Sequence, residues 1–350
     1  VPSAADDVRG AIAAAGGAIP FSEFMRLALY GEHGFYTSGR GRAGRRGDFL
    51  TSPEVGPLYG AVIARALDAW WHELGCPAPF TVVDAGAGPG TLARSVLAAE
   101  PECRRAGALR YVAVEVSAAQ RERHPAEVES VAVLPAEPLV GVVLANELLD
   151  NLPFRLLVFD DGWREAYVAT GSDGRFVEVL VPAVDVPGEL LPPTAPLGAR
   201  VPVQDAAARW VRDALALIER GRLVVTDYCS AATGLCAKRP WRDWLRTYRE
   251  HGRGRHYLLD VGEQDITAEV AIDQLSAAAG LPDAVRTQAQ LLQRWGITEL
   301  VAEGKRVWAE QAARPGLEAM RMRSRVSEAE ALLDPGGLGG FTVLEWVRER

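Results

Sequence analysis

The chain has 350 residues, 48% of them hydrophobic and 24% charged, with a net charge of −8. That balance is the ordinary one for a globular protein, and the length allows one large decorated domain or two smaller ones, enough to bury an extended sheet between helices. The negative charge argues against a whole-surface preference for nucleic acid or anionic membrane, while leaving room for a local basic patch. The four cysteines, Cys76, Cys103, Cys229 and Cys236, form no CxxC pair, so a reducing cytoplasm is the expected setting. The five histidines show no ligand spacing and predict no metal site. No apolar run is long enough to predict a membrane span, and Val1 to Gly17 does not read as a secretion signal.

In chain order, Ser22 is placed to cap a helix that carries Phe24, Leu27 and Ala28 and ends near Gly31. A Gly/Arg-rich loop, Gly39 to Gly47, leads into Asp48-Phe49-Leu50-Thr51-Ser52-Pro53-Glu54. Pro57 opens a second helix with Leu58, Val62, Ile63, Leu67 and Trp70 on one face, running to Gly75. From Phe80 strands and helices alternate: strands at Phe80–Val83, Tyr111–Val116, Val131–Leu134 and Val140–Ala145, and helices opening at Thr91 and Ser117. This pattern predicts a doubly wound, mostly parallel sheet.

Asp161-Gly162 and Asp173-Gly174 then mark hairpin turns among Phe154–Phe159, Trp163–Val168 and Phe176–Val181, an antiparallel insertion. A helix from Asp205 to Arg220, ended by Gly221, leads into a strand at Leu223–Asp227. Cys229 to Glu263 is rich in arginine and aromatics. Trp241, Trp244 and Tyr248 fall at helical spacing there, which predicts a helical insertion with a basic face, a candidate cap that steers an acidic partner surface. Helices follow at Thr267–Ala279, Gln288–Trp295, Thr298–Ala312 and Gly316–Leu333, and Phe341–Val347 closes as a strand.

The chemistry concentrates at strand ends. Asp84-Ala85-Gly86-Ala87-Gly88-Pro89-Gly90 joins a strand to a helix, where glycines let the backbone turn sharply and approach a ligand, and the helix amino end presents free N–H groups. A dinucleotide fingerprint fits only loosely, because Thr91 stands where the third small residue belongs when counted from Gly86, and Ala93 suits only the looser form counted from Gly88. A bare tight turn is the bland alternative. Glu115, ending the next strand, can accept both ribose hydroxyls of a nucleoside, though it can equally be a solvated strand-end carboxylate. Asn146, Glu147 and Asp150 follow the apolar strand from Val140, and Asp227-Tyr228 follows the strand from Leu223. Ligands of open α/β sheets sit at such carboxyl ends, although turn chemistry also uses these residue types.

Taken together, Gly47-Asp48-Phe49-Leu50-Thr51-Ser52-Pro53-Glu54 resembles the GDFxTSPE signature of the MidA family. The glycine turn, Val114-Glu115-Val116-Ser117, Ala145–Pro153, Asp227-Tyr228, Gln264-Asp265-Ile266-Thr267, Thr287-Gln288 and Pro335–Gly339 follow that family's blocks in order, from Phe21 to Leu344. The resemblance implies a Rossmann-like class I methyltransferase using S-adenosyl-L-methionine. It carries an N-terminal helical extension and cofactor lid (1–78) and a methyltransferase domain (79–350), with an antiparallel insertion at 154–200 and a helical substrate-side insertion at 229–280. The family includes a mitochondrial complex I assembly factor that methylates protein arginine symmetrically, so a protein acceptor is implied.

On this reading Gly47, Asp48, Phe49, Thr51, Ser52, Asp84, Gly86, Gly88, Gly90, Thr91, Glu115 and Asn146 bind the cofactor. Glu147 and Asp150 clamp a guanidinium, with Asn146 beside them as a third catalytic candidate. The departures fall near the acceptor: Leu148 and Leu149 where relatives more often carry Phe, Cys229 in place of Gly, only a loose echo at Gly234-Leu235-Cys236, and no acid in Val201–Gln204. A small-molecule or nucleic-acid acceptor, a non-catalytic assembly role and a homodimer therefore stay open.

Overall fold

The strand Phe80–Ala85 is buried along its whole length, as an apolar run without alternation requires. It stands at the centre of a computed structural model that describes residues 2–38, 51–250, 252–314 and 316–349. The central sheet has seven strands: β1 (Phe80–Ala85), β2 (Leu109–Val114), β3 (Glu129–Val131), β4 (Leu139–Asn146), β5 (Ile218–Asp227), β6 (Ala284–Thr287) and β7 (Thr342–Arg348). Their spatial order is β6-β7-β5-β4-β1-β2-β3. Strands β1 to β5 pair in parallel, and β7 runs antiparallel to both neighbours. The chain winds outward from β1 to β3 and then crosses back to β4 on the other side of β1. That reversal opens a crevice at the carboxyl ends of β1 and β4.

Helices cover both faces of the sheet. Pro57–Glu73, Thr91–Ala98 and Leu317–Leu333 pack on one side around Leu67, Trp70 and Val82. Asp205–Leu217 and Ile272–Ala279 pack on the other around Val211, Leu223 and Leu275. A second antiparallel sheet joins Arg155–Phe159, Trp163–Thr170, Phe176–Pro182 and Arg200–Val203 to a short strand, Ala18–Pro20, from the N-terminal region. Residues 2–38 thus pack with that insertion, through Phe21, Phe24 and Phe154, and with Tyr257 from the later segment, and are not helical throughout.

Several local expectations change. The helix expected from Ser22 begins at Phe21 and has no side-chain cap, because the cap position falls on Pro20, whose ring carries no acceptor and which ends the strand paired with Ala169 to Tyr167. The helix from Asp205 stops at Leu217, not Arg220, since Ile218 to Thr226 pairs with Leu139 to Asn146. The predicted helical insertion at 229–280 mixes strand with helix: Leu245–Arg249, Gly252–Arg253 and Asp265–Ala268 form a small sheet, Cys229–Ser230 pairs with Val270–Ala271, and the first long helix is Ile272–Ala279. The helical spacing of Trp241, Trp244 and Tyr248 is outweighed by an alternation that buries Leu245 and Thr247 against a wholly buried partner strand. Nor is the arginine run a free basic face. Arg239 and Arg246 share Glu269, Arg249 pairs with Glu263 at 3.2 Å, and Arg255 pairs with Asp260 at 3.3 Å.

Candidate active site

At the crevice, β1 ends in the glycine turn. Gly86 has φ +72 and Gly90 φ +79, conformations that side chains rarely adopt. A Cβ on Gly86 would lie 3.1 Å from Leu148 Cδ1, and one on Gly90 would lie 3.1 Å from His124 Cδ2. The turn is held from outside: Gly86 N–H donates to Val114 O at 2.9 Å, and the His124 ring bridges Gly88 O at 2.9 Å and Ser130 Oγ at 2.8 Å. The backbone is thereby fixed open toward a cavity of about 410 Å³.

The cavity wall gathers residues from seven stretches of the chain, two of them Ala132–Leu134 and Trp210. Asp84, Gly86, Gly88 and Thr91 line it from the turn, Glu115 from the end of β2, and Asn146 and Glu147 from the end of β4. Thr51, Pro53 and Glu54 line it from the segment before the Pro57 helix, and Tyr30 and Tyr36 from the N-terminal region. Gly47, Asp48 and Phe49 lie outside the described residues. Ser52 is buried beside the cavity, and Gly90 does not line it but sits at the helix start against His124. Asp150 does not line it either. Its place in the single turn Leu149–Asn151 carries its side chain to Thr267, whose hydroxyl donates to Oδ2, while Oδ1 has no partner among the described residues. The expected two-carboxylate clamp thus reaches the cavity with Glu147 alone.

Glu115 accepts from Ser117 N at 2.8 Å and Gly88 N at 3.0 Å, so it ties the glycine turn to the neighbouring strand end; burial still raises its pKa. Asp84 takes a hydrogen bond from the Tyr111 hydroxyl at 3.0 Å, and burial pushes its pKa up to about 7. Glu147 has φ +51 and its N–H donates to Thr226 O at 2.8 Å, which turns its carboxylate toward the chamber. That carboxylate accepts from Asn146 Nδ2 at 3.1 Å, Tyr228 Oη at 3.2 Å and Ser52 N at 3.4 Å, and Tyr59 Oη donates to Asn146 Oδ1 at 3.1 Å. Burial and then the nearby Asp150 push the Glu147 pKa to about 8, against those donors. Asp227 is pushed to about 8 by burial, and it accepts from Leu149 N at 2.9 Å, which fixes the turn that follows Glu147.

The cavity wall contains no lysine, arginine or histidine among the described residues, while Glu54, Asp84, Glu115 and Glu147 all face it. Tyr30 and Tyr36 stack with centroids 5.5 Å apart. Tyr36 Oη donates to Asp265 Oδ1 at 2.9 Å, an oxygen that also accepts from Asn151 Nδ2 at 3.0 Å. A chamber lined by acidic groups, with an aromatic wall, suits a cationic ligand, whose charge favours their ionised forms. Sequence reasoning missed Tyr30, Tyr36, Tyr59 and His124. Tyr59 lies on a helix face that reads as core, and the other three reach the site only through tertiary contacts.

Residues 62–289 match the model of a family described as "Putative S-adenosyl-L-methionine-dependent methyltransferase". A Drosophila melanogaster protein named protein arginine methyltransferase NDUFAF7 homolog, mitochondrial, is 32% identical over 191 residues, which cover 45% of this chain and 43% of that protein. The Homo sapiens protein arginine methyltransferase NDUFAF7, mitochondrial, is 32% identical over 81 residues, covering 23% of this chain and 18% of its own length. The matches therefore span less than half the length of these curated relatives. A crystal structure of a "likely methyl transferase" from Burkholderia thailandensis, bound to S-adenosyl-homocysteine, superposes with a TM-score of 0.82 at 29% identity, covering 99% of this chain and 92% of that one.

Proposed function

Because the chain belongs to this family of S-adenosyl-L-methionine-dependent methyltransferases, as its resemblance to MidA indicated, we propose that it methylates an arginine side chain of a protein, with Glu147 receiving the guanidinium. The fold is that of a class I methyltransferase and the cofactor is S-adenosyl-L-methionine. The residues at the crevice fit that cofactor: the positive φ of Gly86 leaves the cradle without a side chain, and Glu115 stands at the next strand end, where a ribose is held in such sheets. Bound there, the cofactor supplies a methyl group on a positively charged sulfur, open to in-line attack by a nucleophile.

One observation carries the acceptor reading. A cavity lined by carboxylates and tyrosines, with no cationic side chain among the described residues, favours a positively charged acceptor over a nucleic acid or an anionic metabolite. Glu147, fixed by Asn146 and Tyr228, can accept a hydrogen bond from one guanidinium nitrogen and draw the positive charge toward it, which leaves a nitrogen farther from the carboxylate more nucleophilic. Holding that nitrogen in line with the methyl group is the larger part of the task. The naming of the fly and human relatives as protein arginine methyltransferases agrees with this choice.

The test is incubation with methyl-labelled cofactor and, in parallel, arginine-containing peptides, lysine-containing peptides and RNA, followed by acid hydrolysis and amino-acid analysis. Label in methylarginine, lost in Glu147→Gln, is the expected result. Label in RNA or lysine alone would overturn the arginine reading.

A further inference from the structure

Gln288 opens the helix Gln288–Arg294, on the far side of the sheet order from the glycine turn, and its side chain is fully buried. Both ends of its amide are engaged. Oε1 accepts from Ser52 Oγ at 2.8 Å, and Nε2 donates to Leu332 O at 3.4 Å near the end of the helix Leu317–Leu333. Its backbone N–H donates to Phe341 O at 2.8 Å, just before β7. The amide is therefore anchored on two elements of the C-terminal region and reaches out to a single partner in the segment beside the cavity.

That partner stands at the start of the one-turn helix Ser52–Val55, where a backbone N–H has no partner within the helix. The Ser52 N–H instead points to Glu147 Oε1 at 3.4 Å. Other contacts hold the neighbouring residues: Thr91 Oγ1 donates to Glu54 Oε1 at 2.5 Å within the turn, and Glu328 Oε2 accepts from Leu58 N at 2.8 Å at the start of the next helix. The Gln288 amide holds the near end, at the Ser52 hydroxyl. A continuous path then runs Leu332–Gln288–Ser52–Glu147, joining residues 236 positions apart at its Ser52–Gln288 step.

We propose that Gln288 is a positioning residue for Glu147, acting through the hydroxyl and N–H of Ser52. It touches neither cofactor nor acceptor. Its functional weight rests on the reading of Glu147 as the acceptor-site carboxylate, but the geometry of the path does not. The other groups that bear on Glu147 are Asn146 and Tyr228, which donate to it, and Asp150, Asp227 and Tyr59, which interact with it electrostatically. None of these is bonded to Gln288. Releasing Ser52 should thus remove one donor from Glu147 and leave the rest in place. Because that donor favours the ionised form, its loss moves the Glu147 titration upward.

The experiment titrates Glu147 by carbon NMR of protein carrying labelled glutamate carboxyls, in complex with S-adenosyl-homocysteine, with the signal assigned by its absence in Glu147→Gln. In Gln288→Leu the Glu147 midpoint should rise by about half a pH unit, roughly a threefold loss of ionised form below the midpoint. Affinity for S-adenosyl-homocysteine should stay within about threefold of the parent, since no cavity-lining group is altered. An unmoved midpoint in a folded Gln288→Leu overturns the proposal, as does a variant whose only defect is lost cofactor affinity. If Gln288→Leu does not fold, Ser52→Ala removes the same bond and decides: the same rise supports the path, and an unmoved midpoint ends it. Methyl transfer undiminished in Glu147→Gln would instead sink the acceptor reading while leaving the path intact.

Discussion

The cavity carboxylates make the choice between the charged methyl donor and its neutral product dependent on pH. S-adenosylmethionine carries a positive sulfur and S-adenosylhomocysteine does not, so only the former gains from an ionised Glu147 facing the same chamber. With its pKa raised to about 8, Glu147 is ionised in roughly a tenth of molecules at about pH 7 and in roughly nine tenths at about pH 9. If the sulfonium lowers that pKa by one unit, the preference for donor over product should grow about fivefold between those pH values, approaching about tenfold for a larger shift. Asp84, with its pKa near 7, adds a smaller rise at the lower end of the range. Calorimetric titration with each ligand at both pH values, in parent and in Glu147→Gln, reads the ratio directly. A preference that stays flat with pH, or that rises equally in Glu147→Gln, would refute the electrostatic coupling drawn from this cavity.

Three further outcomes follow from the packing. Gly86→Val places a branched residue at φ +72 with its Cβ against Leu148, so the fold should lose at least about 1–2 kcal/mol and calorimetry should detect no S-adenosylhomocysteine binding; a folded variant that binds normally would mean that the cradle lies elsewhere. Asp84 titrates higher in the folded state than the ordinary aspartate value of 3.8, so the stability it contributes is full below about pH 4 and is lost as pH rises toward about 7. Asp84→Asn, which can still accept from Tyr111, should flatten that part of a melting-temperature profile, and an unchanged slope would contradict it. Glu328→Ala leaves the buried Leu58 N–H without its acceptor, which should cost about 1–3 kcal/mol in denaturant unfolding; a loss near zero would show that the Leu58 bond contributes nothing.

Five strands of the central sheet, its strand-end acids and the glycine turn were legible in the sequence because each depends on local pattern, whereas the edge strand Glu129–Val131 was expected at Val131–Leu134 and the edge strand Ala284–Thr287, half exposed, was not expected at all. A buried parallel strand needs an unbroken apolar run such as Leu139–Ala145, and a chain turning sharply over a ligand needs glycine at Gly86. Residue type and spacing therefore determined the fold class and the position of Glu115, while the choice of cofactor came from the ordered resemblance to the MidA family. Tertiary structure decided what depends on partners far away in the chain. Leu245–Arg249 became a strand because Asp265–Ala268 offers it a buried edge, and the arginines around it lost their free charge to Glu269, Asp260 and Glu263. Asp150 and Glu147 stand three residues apart and look equivalent in sequence. Only the fold bends one toward Thr267 and turns the other, at φ +51, into the cavity. The physical reason is common to these cases: a carboxylate's role is set by its solvent access and hydrogen-bond donors, and those come from residues that the order of the sequence does not place beside it.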